Sequence, residues 1–169
     1  MDKGAFVSRK SGSYVFLPMI DLLGIVKENP LQDLFEASRA LETKMAALAA
    51  GIAVPEDLAT MRKALEEMEK DINQQGNGIL DTDNFHLSVY KVSKNVILYK
   101  IGVMLQGLMH ESRGNTLGMA SRGAQSLLDH REIYEVIKNR NSKLSESLMD
   151  EHLCQIQKTQ AILSEKQDV

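Results

Sequence analysis

The sequence contains a single cysteine, Cys154, no tryptophan and only three prolines. One thiol excludes an intrachain disulfide and fits a reducing, cytoplasmic compartment, so Cys154 reads as a small buried hydrophobe. With so little proline and nine methionines, the composition points to a helical interior whose packing can adapt. No apolar run is long: MAALAAGIAV at 45–54 has ten residues, about half of the ~20 a bilayer span requires. Met1-Asp2-Lys3 is not followed by an apolar stretch, so no secretory leader is expected. The net charge of −3 and pI near 5.8 give no electrostatic footprint for nucleic acid over the whole chain. No fixed-period repeat, low-complexity tract, H-E-x-x-H pair or paired cysteines occur.

What is present divides into two parts. In residues 1–18, GAFV and SYVFLP flank the polar SRKSG, the pattern of a β-hairpin, which alone is marginal in water and belongs to something larger. This head has a local charge of +2 and the remainder has −5. After Pro18 the periods are helical. MIDLLGIVKE at 19–28 predicts a short linker helix, stopped by Asn29-Pro30. A first long helix from Leu31 has its stripe at Leu34, Leu41, Met45, Leu48 and Ile52, with alanines that admit a close neighbour. Pro55, Glu56 and Asp57 open a second helix with Leu58, Met61, Leu65, Met68 and Ile72 on one face. A third runs through DTDNFH to about Ser93. Asn95 marks the start of a fourth carrying Ile97, Ile101, Leu105 and Leu108, which ESRGN is expected to break. A fifth over 116–138 and a sixth over 142–165 complete an all-α antiparallel bundle of six to seven helices, preceded by the short hairpin fragment.

The histidines are the unusual feature. His130 shares a register with Met119, Ser126, Ile133 and Ile137, and His152 with Leu148, Met149, Ile156 and Leu163, positions that the pattern reserves for apolar side chains. His86 lies on a face with Val89, Thr82 and Asp83, because separations of three and four bring helical side chains together. His110 falls at an expected helix end, where a capping role is sufficient. Any one inward imidazole is more often a hydrogen-bonded core residue than a ligand. Three on the inner stripes of three helices each need a partner, since an unpaired buried polar group costs about 1–3 kcal/mol. One metal ion serves all three, and neutral imidazole nitrogen suits zinc, nickel, copper or iron, with Asp83 offering an oxygen ligand.

Five segments in order, EASRALETKMAALAA at 36–50, VPEDLATM at 54–61, FHLSVYKVSKNVIL at 85–98, DHREIYEVIKNRN at 129–141 and SLMDEHL at 147–153, resemble the FCD domain, the C-terminal ligand-sensing domain of FadR-type regulators in the GntR family. The resemblance spans residue 19 to the end. VSRKSGSYVFLP is similar to the wing of the winged helix-turn-helix module that precedes such domains. The resemblance therefore implies a wing remnant at 1–18, with Arg9 and Lys10 its DNA-contacting basic residues, and an effector-binding, dimerising domain at 19–169. It implies a metal site of an Asp and three histidines, here His86, His130 and His152. The family's Asp position falls on Thr82, with Asp83 next to it. The implied effector is a small carboxylate. By position Arg122, eight residues before His130, or Arg39, near the inner side of the first helix, could grip its other end, a surface or structural ion pair being the alternative for each. Thr82 and Asn95 are further candidates for contact.

The expected function is thus effector sensing and dimerisation for a bacterial transcription regulator, without catalysis. Zinc or nickel is the expected divalent transition metal, and a homodimer the expected assembly. Operator DNA would be reached only through a helix-turn-helix missing from this chain, and no membrane is involved. Two alternatives use the same residues. A helical metal-dependent hydrolase would need a general base, for which Asp83, Asp129 and Asp150 are candidates. A plain helical interaction module would have the histidines as core residues only.

Overall fold

A computed structural model of the chain describes residues 31–117 and 122–167. The expected hairpin at 1–18, the linker helix at 19–28, and Arg9 and Lys10 lie outside the described residues, as does Met119. The described residues form six helices and no strand: α1 (Leu31–Ile52), α2 (Pro55–Asn73), α3 (Ile79–Val92), α4 (Val96–Leu117), α5 (Arg122–Lys138) and α6 (Ser142–Gln167).

The boundaries follow local chemistry. Pro55 sits at the first position of α2, where its missing N–H costs nothing, and the Asp57 carboxylate accepts from the Val54 N–H at 3.2 Å. Gly78 precedes α3 with φ +70°, a left-handed conformation that costs glycine least, and its N–H donates to Asp71 at 2.8 Å. Asn95 Oδ1 accepts from the Ile97 and Leu98 N–H groups at the start of α4, both at 3.1 Å. Asn141 does the same for Leu144 at the start of α6.

Two expectations change. ESRGN does not break the chain, because α4 continues through it to Leu117. Glu, Ser, Arg and Asn are tolerated within helices, and a single glycine costs only about 1 kcal/mol. The inward stripes of α1 and α4 are also rotated from those expected. On α1 the buried residues are Phe35, Ser38, Glu42, Met45, Ala46 and Ala49, while Leu34, Leu41 and Leu48 are half-buried and Ile52 is exposed. On α4 they include Leu105, Gln106 and Met109, with Ile97 exposed. In α1 a face rich in small and polar residues takes the closest packing, and the leucines flank it.

The helices pack side by side. α2 lies against α3 and α5, α3 against α4, and α6 against α5 and α4. α1 joins α6 through Arg39, which grips Asp150 with two hydrogen bonds of 2.9 Å, and through the Ser145 hydroxyl, which donates to the Ala46 carbonyl at 3.1 Å. Arg140, itself at positive φ, donates to the carbonyls of Gly51 and Ala53 and fixes the end of α1. The core these faces enclose is rich in methionine: Met45, Met61, Met68, Met109 and Met149 are all fully buried.

Candidate metal centre

α3, α5 and α6 each send one histidine into the core. His86 and His130 are 0% exposed and His152 is 1% exposed. Their ring centroids lie 5.0 Å (His86–His130), 5.5 Å (His86–His152) and 4.6 Å (His130–His152) apart. One nitrogen of each falls within 4.8 Å of the others. The helical registers explain this: His130 continues the buried line of Ser126, Ile133 and Ile137, His152 that of Met149 and Ile156, and His86 that of Thr82 and Val89.

The second nitrogen of two rings is fixed by a carboxylate. His86 Nδ1 lies 2.6 Å from Glu42 Oε2, with both side chains buried, and the Ser38 hydroxyl donates to the other Glu42 oxygen. His152 Nδ1 lies 3.1 Å from Asp129 Oδ2, and Gln125 donates to the other oxygen of that carboxylate at 2.8 Å. A carboxylate only accepts, so in each pair the proton belongs on Nδ1 and the lone pair on Nε2. His86 Nε2 is buried and has no hydrogen-bond partner. His130 Nε2 and His152 Nε2 face each other at 3.1 Å. Phe85, the neighbour of His86, stacks on the His130 ring at 4.4 Å between centroids and holds its plane.

The electrostatics agree with a neutral His152. Burial holds the His152 pKa below its ordinary value, although the hydrogen bond to Asp129 opposes it. Burial also pushes the Asp129 carboxyl upward, but donation from His152 and Gln125 and the nearby Arg122 charge outweigh it, leaving this group below its ordinary value. Imidazole lone pairs on buried rings, two of them braced by a carboxylate behind, are what a borderline transition metal takes. A tetrahedral ion at about 2.0–2.1 Å from nitrogen sets its donors roughly 3.4 Å apart, comparable with the 3.1 Å between His130 and His152. The unpartnered His86 Nε2 then gains a partner. The three residues fit such an ion, and bound there it would act as a Lewis acid able to take an anionic oxygen.

The other expected site residues are not brought into this group. Asp83 leaves it: its carboxylate meets His110 Nδ1 at 2.6 Å, and its carbonyl accepts from Gln106 at 2.7 Å. One residue along a helix is a turn of about 100°, and that step carries Asp83 toward α4. His110 pairs there with Asp83 within the continued α4, so it does not close the helix. Thr82 does lie on the inward face, one turn before His86, buried, with its hydroxyl directed at Met68 Sδ at 3.7 Å. Arg39 forms the ion pair with Asp150, at 2.8 Å at its closest. Arg122 begins α5 with a buried Nε lacking a hydrogen-bond partner, and Asn95 is the α4 cap. The candidate bases are all engaged: Asp83 by His110, Asp150 by Arg39, Asp129 by His152.

The residue that the sequence reading missed is Glu42. The leucine stripe hid its signal: only once α1 is turned so that Ser38, Glu42 and Met45 face inward does an acid there stand out as an inward histidine does. A surface groove of about 300 Å³ between α2, α3 and α4, lined by Lys63, Glu67, Asp81, Lys91 and Tyr99 among others, borders none of the three histidines.

The family model that matches this chain is the FCD domain, over residues 33–155. That span contains all three histidines, Glu42 and Asp129. A comparison with curated proteins returns no match. No helix among the described residues is long and apolar enough to cross a membrane.

Proposed function

The chain belongs to the FCD-domain family, the effector-binding regulatory domains of GntR-type transcription regulators, and from that premise we propose that it senses a small carboxylate at a divalent metal centre held by His86, His130 and His152. The observation that carries this reading is the convergence of three buried imidazoles with the lone pair of His86 Nε2 directed at no protein partner. An ion with three nitrogen ligands and a free coordination position offers a carboxylate oxygen a direct bond. Arg122, whose charge already acts on Asp129 beside the centre, is the nearest candidate for the effector's other end. Zinc and nickel suit the donor set best. Thr82 and Asn95 are weaker candidates for effector contact, and Arg39 would have to release Asp150 to take part.

The regulatory output follows from dimerisation: an effector shifts the equilibrium between two arrangements of a homodimer by its differential affinity for them. Residues 1–18 would be the end of a DNA-reading wing and 19–169 the sensor, working in the cytoplasm. The hydrolase alternative has no support from the geometry, because each acid proposed as base is bound to another side chain. The test is metal analysis of protein purified without a histidine tag and supplemented with zinc or nickel. About one equivalent per chain is expected, lost in His130→Ala. The metal-loaded protein should then show a raised Tm with millimolar citrate or acetate, unlike the chelated form. A wild-type protein that takes up no metal ends the proposal.

A further inference from the structure

Glu42 is buried at the middle of α1, 1% exposed, and no ligand-holding role has been assigned to it above. Its two oxygens divide their work: Oε1 accepts from Ser38 on the same helix, and Oε2 accepts from His86 Nδ1 on α3 at 2.6 Å. A buried carboxylate is tolerated only with compensation, and the Ser38 hydroxyl and the His86 N–H contribute to it. A dication on the opposite nitrogen of the same ring would add to it, through an imidazole whose N–H points at the acid. The converse also holds: with its proton drawn to Nδ1, His86 presents Nε2 inward as a lone pair.

α1 is also tied to α6 by Arg39–Asp150 and Ser145–Ala46, and α6 carries His152. Glu42 is thus the point where the helix that leads out of residues 1–30 meets the imidazole cluster. We propose that Glu42 is a positioning residue that fixes His86 for metal binding and thereby links occupancy of the centre to the order of α1. This rests on the reading that the three imidazoles hold an ion. An ion at the cluster strengthens the Glu42–His86 bond and restrains α1, and a restrained α1 presents His86 correctly. The linkage is reciprocal, as any coupling between binding and conformation must be.

The probe is Co²⁺ alone, with Zn²⁺ by competition against a chromophoric chelator. Wild type should bind tightly, give a visible Co²⁺ ligand-field spectrum, and show slowed amide exchange across residues 38–46 on metal addition. Glu42→Ala should lose about 10- to 100-fold in affinity, shift the Co²⁺ spectrum, and lose the metal-induced protection of α1. Glu42→Gln, which retains shape and one acceptor oxygen, should fall between the two, and it takes over the test if the alanine variant does not fold. Affinity, spectrum and exchange identical to wild type in Glu42→Gln and in any folded Glu42→Ala overturn the inference alone. A wild-type chain that takes up no ion overturns both it and the reading beneath it.

Discussion

At the scale of single residues, the centre depends on pairs in which an acid does the holding and a histidine does the facing. Asp129 is the clearer case for stability, because it accepts from both His152 and Gln125 while only 14% exposed. Replacing it by Asn removes the charge from two charge-assisted hydrogen bonds, each of a kind worth about 1.5–3 kcal/mol to a folded protein. Asp129→Asn is therefore expected to lower the unfolding free energy of the metal-free protein by about 1–3 kcal/mol in urea titrations. An unchanged midpoint would mean that the Asp129–His152 bond contributes nothing net. Cys154, half-buried on α6, has no part in either pair.

At the scale of elements, the close crossing of α3 and α4 determines where His86 sits along the bundle axis. Gly102 permits it. A Cβ added there would lie 2.8 Å from Tyr90 Cδ2 and 3.0 Å from Met45 Cε. Met45 can yield because it is flexible, but the Tyr90 ring is fully buried and cannot swing away. Gly102→Ala gains up to about 1 kcal/mol in helix propensity and loses about 1–3 kcal/mol to overpacking, so net destabilisation is expected in thermal melts; a stabilised variant would show that the contact relaxes freely.

The same elements mark what the sequence made legible. The all-α architecture and the inward faces of α3, α5 and α6 were readable because a 3.6-residue period repeats over several turns, and a histidine inside such a stripe stands out. The α1 stripe was misread because its bulky leucines, which dominate a hydrophobicity pattern, flank the contact, while alanines, Ser38 and Glu42 make it. ESRGN was misread as a break because composition suggests a turn, while packing of the rest of α4 decides otherwise. The partners of Asp83 and Glu42 were not readable at all. They lie 27 and 44 residues away, and no local pattern encodes which of several neighbouring helices a side chain will meet.

At the scale of the whole molecule, proton binding couples to folding through the buried His152 imidazole. His152 has its pKa lowered in the native state, so the folded protein keeps this ring neutral. Once unfolded, the ring takes a proton below its ordinary pKa of about 6.5. The unfolded state then binds more protons, and stability rises with pH across that window and is lost as pH falls through it. Asp129, lowered as well, acts in the same direction at more acid pH. The metal-free protein should melt at progressively lower temperature as pH drops from 7.5 to 5.5, and a Tm that stays level or rises on acidification would contradict the neutral assignment.

The three rings and their acids are drawn from residue 42 to residue 152, on four of the six helices. A ribosome-bound chain therefore cannot bring the three imidazoles together until residue 152 has been synthesised. Closure of the cluster can thus only follow the synthesis of α6, and cannot guide the folding of the helices before it.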